Sequence, residues 1–287
     1  MPRTLRLAAA WLAAATLVAC GGVAQQVETV AVVDAAASGP FAVDLQPVEQ
    51  AAARAAWAVP PVPVPLPAAT LAEIRESPEL LADRRLPTVS ALVPPSGERF
   101  GSTTGPVTPE IRERMGESWS EACPVGLEDL RYLTVTFRGF DGLSHTGELV
   151  VHATAADAVV EVFRALYAED FPIEEMRLIT TADHHAPPTG DGNNTAAYNC
   201  RKARGQSRWS AHAYGTAVDI NPFQNPMVRR SSVVPELGAA YVDRSNVRPG
   251  MLTPDGPAVR AFTAAGWVWG GDWTYSKDYM HFSTDGS

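Results

Sequence analysis

Nine residues divide this chain before any periodic pattern is sought. The run Val59-Pro60-Pro61-Val62-Pro63-Val64-Pro65-Leu66-Pro67 lacks the backbone donors and the φ freedom that a helix or central strand needs. It reads as stiff polyproline II. Its surroundings agree, since from Gly21 to about Ser96 the sequence is rich in Ala, Val, Gln and Pro and poor in aromatics. A linker of this kind over residues 20–96 reaches roughly 45–50 Å root-mean-square when flexible. One short helix is expected inside it, where Ser77 caps and Pro78 opens a turn continued by Glu79, Leu80 and Leu81. The folded domain is expected over residues 97–287.

An export signal stands ahead of the linker. Arg3 and Arg6 precede an apolar run from Leu7 to Ala19 that is too short to span a membrane and ends in small residues. A signal peptide over 1–19 follows. The cysteine directly after Leu17-Val18-Ala19 resembles the bacterial lipobox, which implies lipidation at Cys20 and anchoring by two or three acyl chains. The alternative is an ordinary signal peptide with a chance cysteine. Export places Cys123 and Cys200 in an oxidising compartment, where a disulfide between them is expected. Closing a loop of roughly 78 residues is worth about 4 kcal/mol in the chain-entropy model. With 23 basic against 32 acidic residues the net charge is −9, which disfavours a nucleic-acid partner.

Beyond the linker the pattern is mixed. Thr108-Pro109-Glu110 caps a helix that Gly116 stops. Leu133, Val135 and Phe137 alternate with Tyr132, Thr134 and Thr136, predicting a half-buried strand over 131–138. Phe140-Asp141-Gly142 supplies a turn, and 147–152 reads as the returning strand. Val159, Val162, Phe163, Leu166 and Tyr167 keep helical spacing behind an expected capping box at Thr154 and Asp157. A short strand over 176–181, a polar loop over 183–194 and a helix over 257–265 complete the reading. With no βαβ repeat, the expected class is α+β with a mainly antiparallel sheet flanked by helices.

Chemistry concentrates in two late segments. One is Ser210-Ala211-His212-Ala213-Tyr214-Gly215-Thr216-Ala217-Val218-Asp219, and the other joins Gly266-Trp267-Val268-Trp269-Gly270-Gly271-Asp272-Trp273 to Asp278-Tyr279-Met280-His281. A hydrolytic zinc site needs about three N or O ligands and one open position. His212, Asp219 and His281 supply two imidazoles and a carboxylate, leaving Asp278 to handle a proton. Asp278 and His281 would face opposite ways on a flat strand, so both reach one metal only if the chain bends between them. Read as residues alone, a core or surface histidine and a turn aspartate remain open.

The pattern Ser-x-His-x-x-Gly-x-Ala-x-Asp followed by Asp-x-x-His resembles the M15 zinc peptidases, the D-alanyl-D-alanine carboxypeptidases and L-alanyl-D-glutamate endopeptidases of the cell wall. Ser210, His212, Gly215, Ala217, Asp219, Asp278 and His281 carry it. The resemblance implies a Hedgehog/DD-peptidase-like fold over roughly 108–282 and one Zn2+ per chain held by His212, Asp219 and His281. It further implies a zinc-bound water activated by Asp278 as general base. Other branches place an arginine after the strand matching 176–181, where this chain has Thr181-Ala182-Asp183. Arg201, beside Cys200, is the substitute expected to contact an oxyanion or carboxylate, with a surface arginine as its plain alternative. The implied partners are peptidoglycan stem peptides, acted on by a monomer anchored to the membrane and facing the cell wall or periplasm. Carboxypeptidase action stands ahead of endopeptidase action. A catalytically silent zinc module and a metal-free structural lipoprotein are the other classes. His184 and His185 read as rim residues, and at least two of Trp267, Trp269 and Trp273 as core.

Overall fold

The computed structural model describes residues 79–88, 90–187 and 190–287. The expected signal peptide, the expected lipidation at Cys20, the proline run and the expected Ser77 cap lie outside them.

The described chain opens on α1 (Glu79–Ala82), inside the stretch expected as linker. Leu81 packs with Phe223, Tyr241 and Met251, and Arg84 behind it is fully buried. Its guanidinium pairs with the equally buried Glu174, Nη2 to Oε1 2.6 Å and Nε to Oε2 2.8 Å, and lies 4.3 Å over the Phe223 ring. Asn193 Nδ2 donates to both Glu174 Oε2 and Gln224 Oε1, so the pair sits inside a satisfied network. The two partners stand ninety positions apart in the sequence.

β1 (Ser102–Pro106) leads into α2 (Pro109–Met115), capped by Thr108 and stopped at Gly116, as the sequence predicts. β2 (Leu130–Arg138) and β3 (Ser144–His152) form a nine-residue antiparallel pair with β1 on the far edge of β2. The alternation in β2 sends Leu133, Val135 and Phe137 into the main core. Leu130 and Tyr132 meet a second cluster that holds Cys200 and Met115. α3 (Ala156–Ala168) covers the main core with Val159, Val162, Phe163 and Leu166. Each such side chain contributes about 1.5–3 kcal/mol of apolar burial.

Two local readings are corrected between β3 and β5. No capping box forms at Thr154 and Asp157; a 3-10 turn, Ala153–Ala155, precedes α3, and Thr154 N–H donates to His152 Nδ1. The box forms instead at Thr180, whose N–H and hydroxyl both donate to Asp183 Oδ2. The strand expected over 176–181 therefore shrinks to β4 (Glu175–Met176), and α4 (Thr181–His185) occupies the start of the expected loop. β4 pairs in parallel with β5 (Asn194–Thr195).

The remaining strands are short. β6 (Ala217–Asp219), β7 (Met227–Arg229) and β8 (Ser232–Val234) precede α5 (Pro257–Ala264), which ends before Gly266. β9 (Val268–Trp269), β10 (Lys277–Asp278) and β11 (His281–Ser283) follow. Two antiparallel sheets result, β6-β11-β9 and β10-β7-β8. The first lies on α5, where Phe282 stacks on Phe262 at 3.9 Å. The class is α+β with antiparallel sheets, as expected.

Arg84→Met should destabilise the protein by about 3–5 kcal/mol in urea unfolding, because it leaves the Glu174 carboxylate buried without its guanidinium. A chain begun at residue 97 should lose the same anchor. Loss of less than about 1 kcal/mol in both would contradict the anchoring role.

Candidate functional site

Antiparallel register builds the centre of the site. β11 pairs with β6 so that His281 stands directly opposite Asp219, and His281 Nδ1 lies 3.0 Å from Asp219 Oδ1. The flanking residues Val218 and Phe282 are fully buried, which fixes this pair at the sheet edge of the core. His212 arrives from a separate 3-10 turn, Ala211–Tyr214, capped by the Ser210 side chain. Gly215 ends that turn at φ 70°, and a Cβ there would come within 2.5 Å of the His152 backbone nitrogen. The turn is thereby pressed against the end of β3, and His212 Nε2 comes to 3.2 Å from both Asp219 Oδ2 and His281 Nδ1.

These three side chains fit a metal. Tetrahedral zinc with bonds of about 2.0–2.1 Å needs donor atoms about 3.3 Å apart. The two inner imidazole nitrogens stand 3.2 Å apart, Asp219 meets His281 with Oδ1 at 3.0 Å and His212 with Oδ2 at 3.2 Å, and one donor atom from each residue lies within 4.8 Å of the other two. The outer nitrogens are already engaged: His212 Nδ1 lies 2.5 Å from Ala197 O, and His281 Nε2 lies 3.0 Å from Ser287 O. A proton held on each outer nitrogen leaves a lone pair on the inner one, the arrangement that metal-binding imidazoles show. Burial works against a charged Asp219, but the charges and hydrogen bonds of His212 and His281 outweigh it and hold the carboxyl far below its ordinary range. Burial likewise opposes a charged His281, yet the Asp219 hydrogen bond and charge raise its pKa to about 9.

Asp278 reaches the same cleft through the bend that the sequence requires. It ends β10, which pairs with β7, and Tyr279 and Met280 carry the chain into β11 in another sheet. Gly270 lets the backbone approach: a Cβ there would meet Asp278 O at 2.6 Å. Asp278 Oδ1 is shielded from solvent and, among the described residues, has no hydrogen-bond partner. Burial pushes the carboxyl up to about 7, helped by Asp219 and opposed by His281, Arg201 and Arg204. A carboxyl in this range exchanges protons at neutral pH.

His212, Asp219, Asp278 and His281 all line one cavity of about 770 Å³. Arg201 lines it too, where the sequence reading expected a cation. Arg204 was missed. It stands open to solvent at the mouth, but the crowding walls, with Arg201, bring its pKa down to about 10. The sequence displays Arg204 but contains nothing that aims it at the cleft. Ala197 and Ser287 were also missed, because both act through backbone carbonyls that carry no side-chain signature.

Other expected residues fall as follows. Cys123 and Cys200 are bridged. His184 bonds Asn199, and exposed His185 Nε2 lies 2.7 Å from Glu117 Oε2; neither joins the metal-type cluster. Trp267 and Trp269 are core, while Trp273 lines the cleft with its ring centroid 5.6 Å from that of His281. No described helix is long and apolar enough to cross a membrane.

Residues 204–284 match a family model of the M15 peptidases described as D-alanyl-D-alanine carboxypeptidase. The matched stretch contains Arg204, His212, Asp219, Asp278 and His281, and covers less than a third of the chain. No curated protein and no solved structure matches the chain.

Because His281 holds a proton at pH 7 without metal, zinc must displace it. Zinc binding should release about one proton there, and apparent affinity should fall about tenfold per pH unit below pH 9. Calorimetry in buffers of different ionisation enthalpy reads the proton directly. His212→Ala should lose stoichiometric zinc; full occupancy in that variant would remove His212 from the ligand set.

Proposed function

We propose that this chain is a zinc-dependent peptidase that hydrolyses peptidoglycan stem peptides, with removal of the terminal D-alanine as its leading reaction. The observation that carries the reading is the convergence of His212, Asp219, His281 and Asp278 in one arginine-lined cavity. The match of residues 204–284 to a carboxypeptidase family supports it.

His212 Nε2, Asp219 and His281 Nδ1 would hold the zinc ion. When bound, the metal supplies Lewis acidity, which acidifies water and polarises a carbonyl. Ala197 and Ser287 fix the two imidazoles so that both inner nitrogens stay available. Asp278 takes the proton of the attacking water as its oxygen bonds to the scissile carbonyl carbon. As the C–N bond breaks, Asp278 returns that proton to the departing amine. Arg201 and Arg204 offer positive charge to the developing oxyanion or to the terminal carboxylate of the peptide.

The rest of the reading concerns placement. The fold is of the Hedgehog/DD-peptidase type, and the enzyme works as an exported monomer anchored through lipid on Cys20. The disulfide between Cys123 and Cys200 supports an oxidising compartment.

Asp278→Asn should retain zinc and lose about 10²–10⁴-fold in turnover. The test incubates zinc-loaded protein and variant with pentapeptide muropeptides and reads products by mass spectrometry. Loss of one terminal alanine by the parent alone supports the reading. Cleavage between the first and second stem residues would select endopeptidase action, and an unchanged variant would move the base elsewhere.

A further inference from the structure

The mouth of the cleft is basic in a chain whose net charge is −9. Two hairpins frame it. The first runs over 201–209: Lys202 pairs with Trp209 at its base, Ala203 N–H donates to Arg208 O, and Lys202 Nζ lies 3.4 Å over the Trp209 ring. Cys200, just before it, is tied to Cys123 and donates its N–H to Ser118 O. The second hairpin is β7–β8, whose two-residue turn is Arg230-Ser231. Arg230 sits there at φ 55°, a left-handed conformation that favours Gly or Asn.

Arg201, Arg204 and Arg208 from the first hairpin and Arg229 from the second line the cavity. Several arginines elsewhere are neutralised, Arg84 by Glu174, Arg138 by Glu98 and Arg177 by Asp183. Among the described residues no ion pair holds the four at the cleft. The side-chain bonds of Arg201 and Arg208 go to neutral oxygens, Lys202 O and Gln206 Oε1. Asp272 is the one acidic side chain among the described lining residues besides Asp219 and Asp278. A cleft with unpaired cations on low-dielectric walls concentrates anions.

The four fall into two tiers. Arg201 and Arg204 also line a second cavity of about 210 Å³ together with His212 and Asp219, so both belong to the reacting end. Arg208 and Arg229 come from different hairpins and line the larger cavity but not the second one at His212 and Asp219. The reaction as derived gives them no work. We propose that Arg208 and Arg229 form an outer anion subsite that selects peptides carrying a second carboxylate, separate from the group engaged beside Asp278. The proposal rests on the peptidase reading and adds the charge of the substrate to it. A cavity of about 770 Å³ falls in the range that encloses whole small ligands, so both tiers can engage one peptide.

The test uses the zinc-loaded full chain and two forms of one peptide, N-acetyl-L-Ala-γ-D-Glu-L-Lys-D-Ala-D-Ala with the glutamate α-carboxyl free or amidated. The free acid should show a KM about tenfold lower than the amide. That advantage should shrink towards parity as NaCl rises from about 50 to 500 mM. In the Arg208→Gln/Arg229→Gln variant the two KM values should become equal. Equal KM values in the parent, or an acid preference that survives in the variant, overturns the subsite. If the parent cleaves neither form, calorimetric binding of the same two peptides decides. Tighter binding of the acid, abolished in the variant, upholds the subsite while the peptidase reading fails; equal binding overturns it.

Discussion

The cross-strand pair of Asp219 and His281 is the constraint on which the rest of the site depends. A carboxylate mostly shielded from solvent at the cleft wall is costly unless charge or hydrogen bonds answer it. Two imidazoles answer it here, His281 from the neighbouring strand and His212 from a turn that glycine alone permits. Without metal the group is held together by a proton on His281; with metal the same lone pairs converge on a cation. A proton and a divalent ion thus compete for one set of donors. The backbone register that sets their spacing is fixed by the core residues on either side.

Charge elsewhere in the molecule is arranged around that centre. Carboxylates neutralise several arginines away from the cleft, including the buried Arg84 that fastens the entering chain to Glu174. Glu174 N–H donates to Asn221 Oδ1, two residues beyond Asp219, so the anchor of the entering chain and the site share one loop. The disulfide serves the opposite wall, fixing Cys200 at the foot of the arginine hairpin. The arginines at the cleft are thus a local patch of positive charge in an acidic chain.

What the sequence displayed depended on how far away the deciding partner stood. The Thr108 cap, the Gly116 stop, the β2 alternation and the α5 boundary are local, and each appears where the pattern puts it. His212, Asp219, Asp278 and His281 were legible through a spaced motif, and the bend at Tyr279–Met280 followed from strand geometry. Long-range choices were hidden. Glu174, the partner of the buried Arg84, is remote in the sequence, and a 3-10 turn over Ala153–Ala155 takes the place of the box expected at Thr154. Arg204 and the carbonyls of Ala197 and Ser287 depend on how distant loops fold back. The cluster at the site is therefore more legible than the cleft around it.

Zinc-edge X-ray absorption on the purified, zinc-equilibrated protein tests the central claim most directly. The account predicts one zinc per chain, bound by two imidazole nitrogens with the remaining neighbours oxygen, at about 2.0–2.2 Å. Absence of stoichiometric zinc, or a shell without two imidazoles, would contradict it.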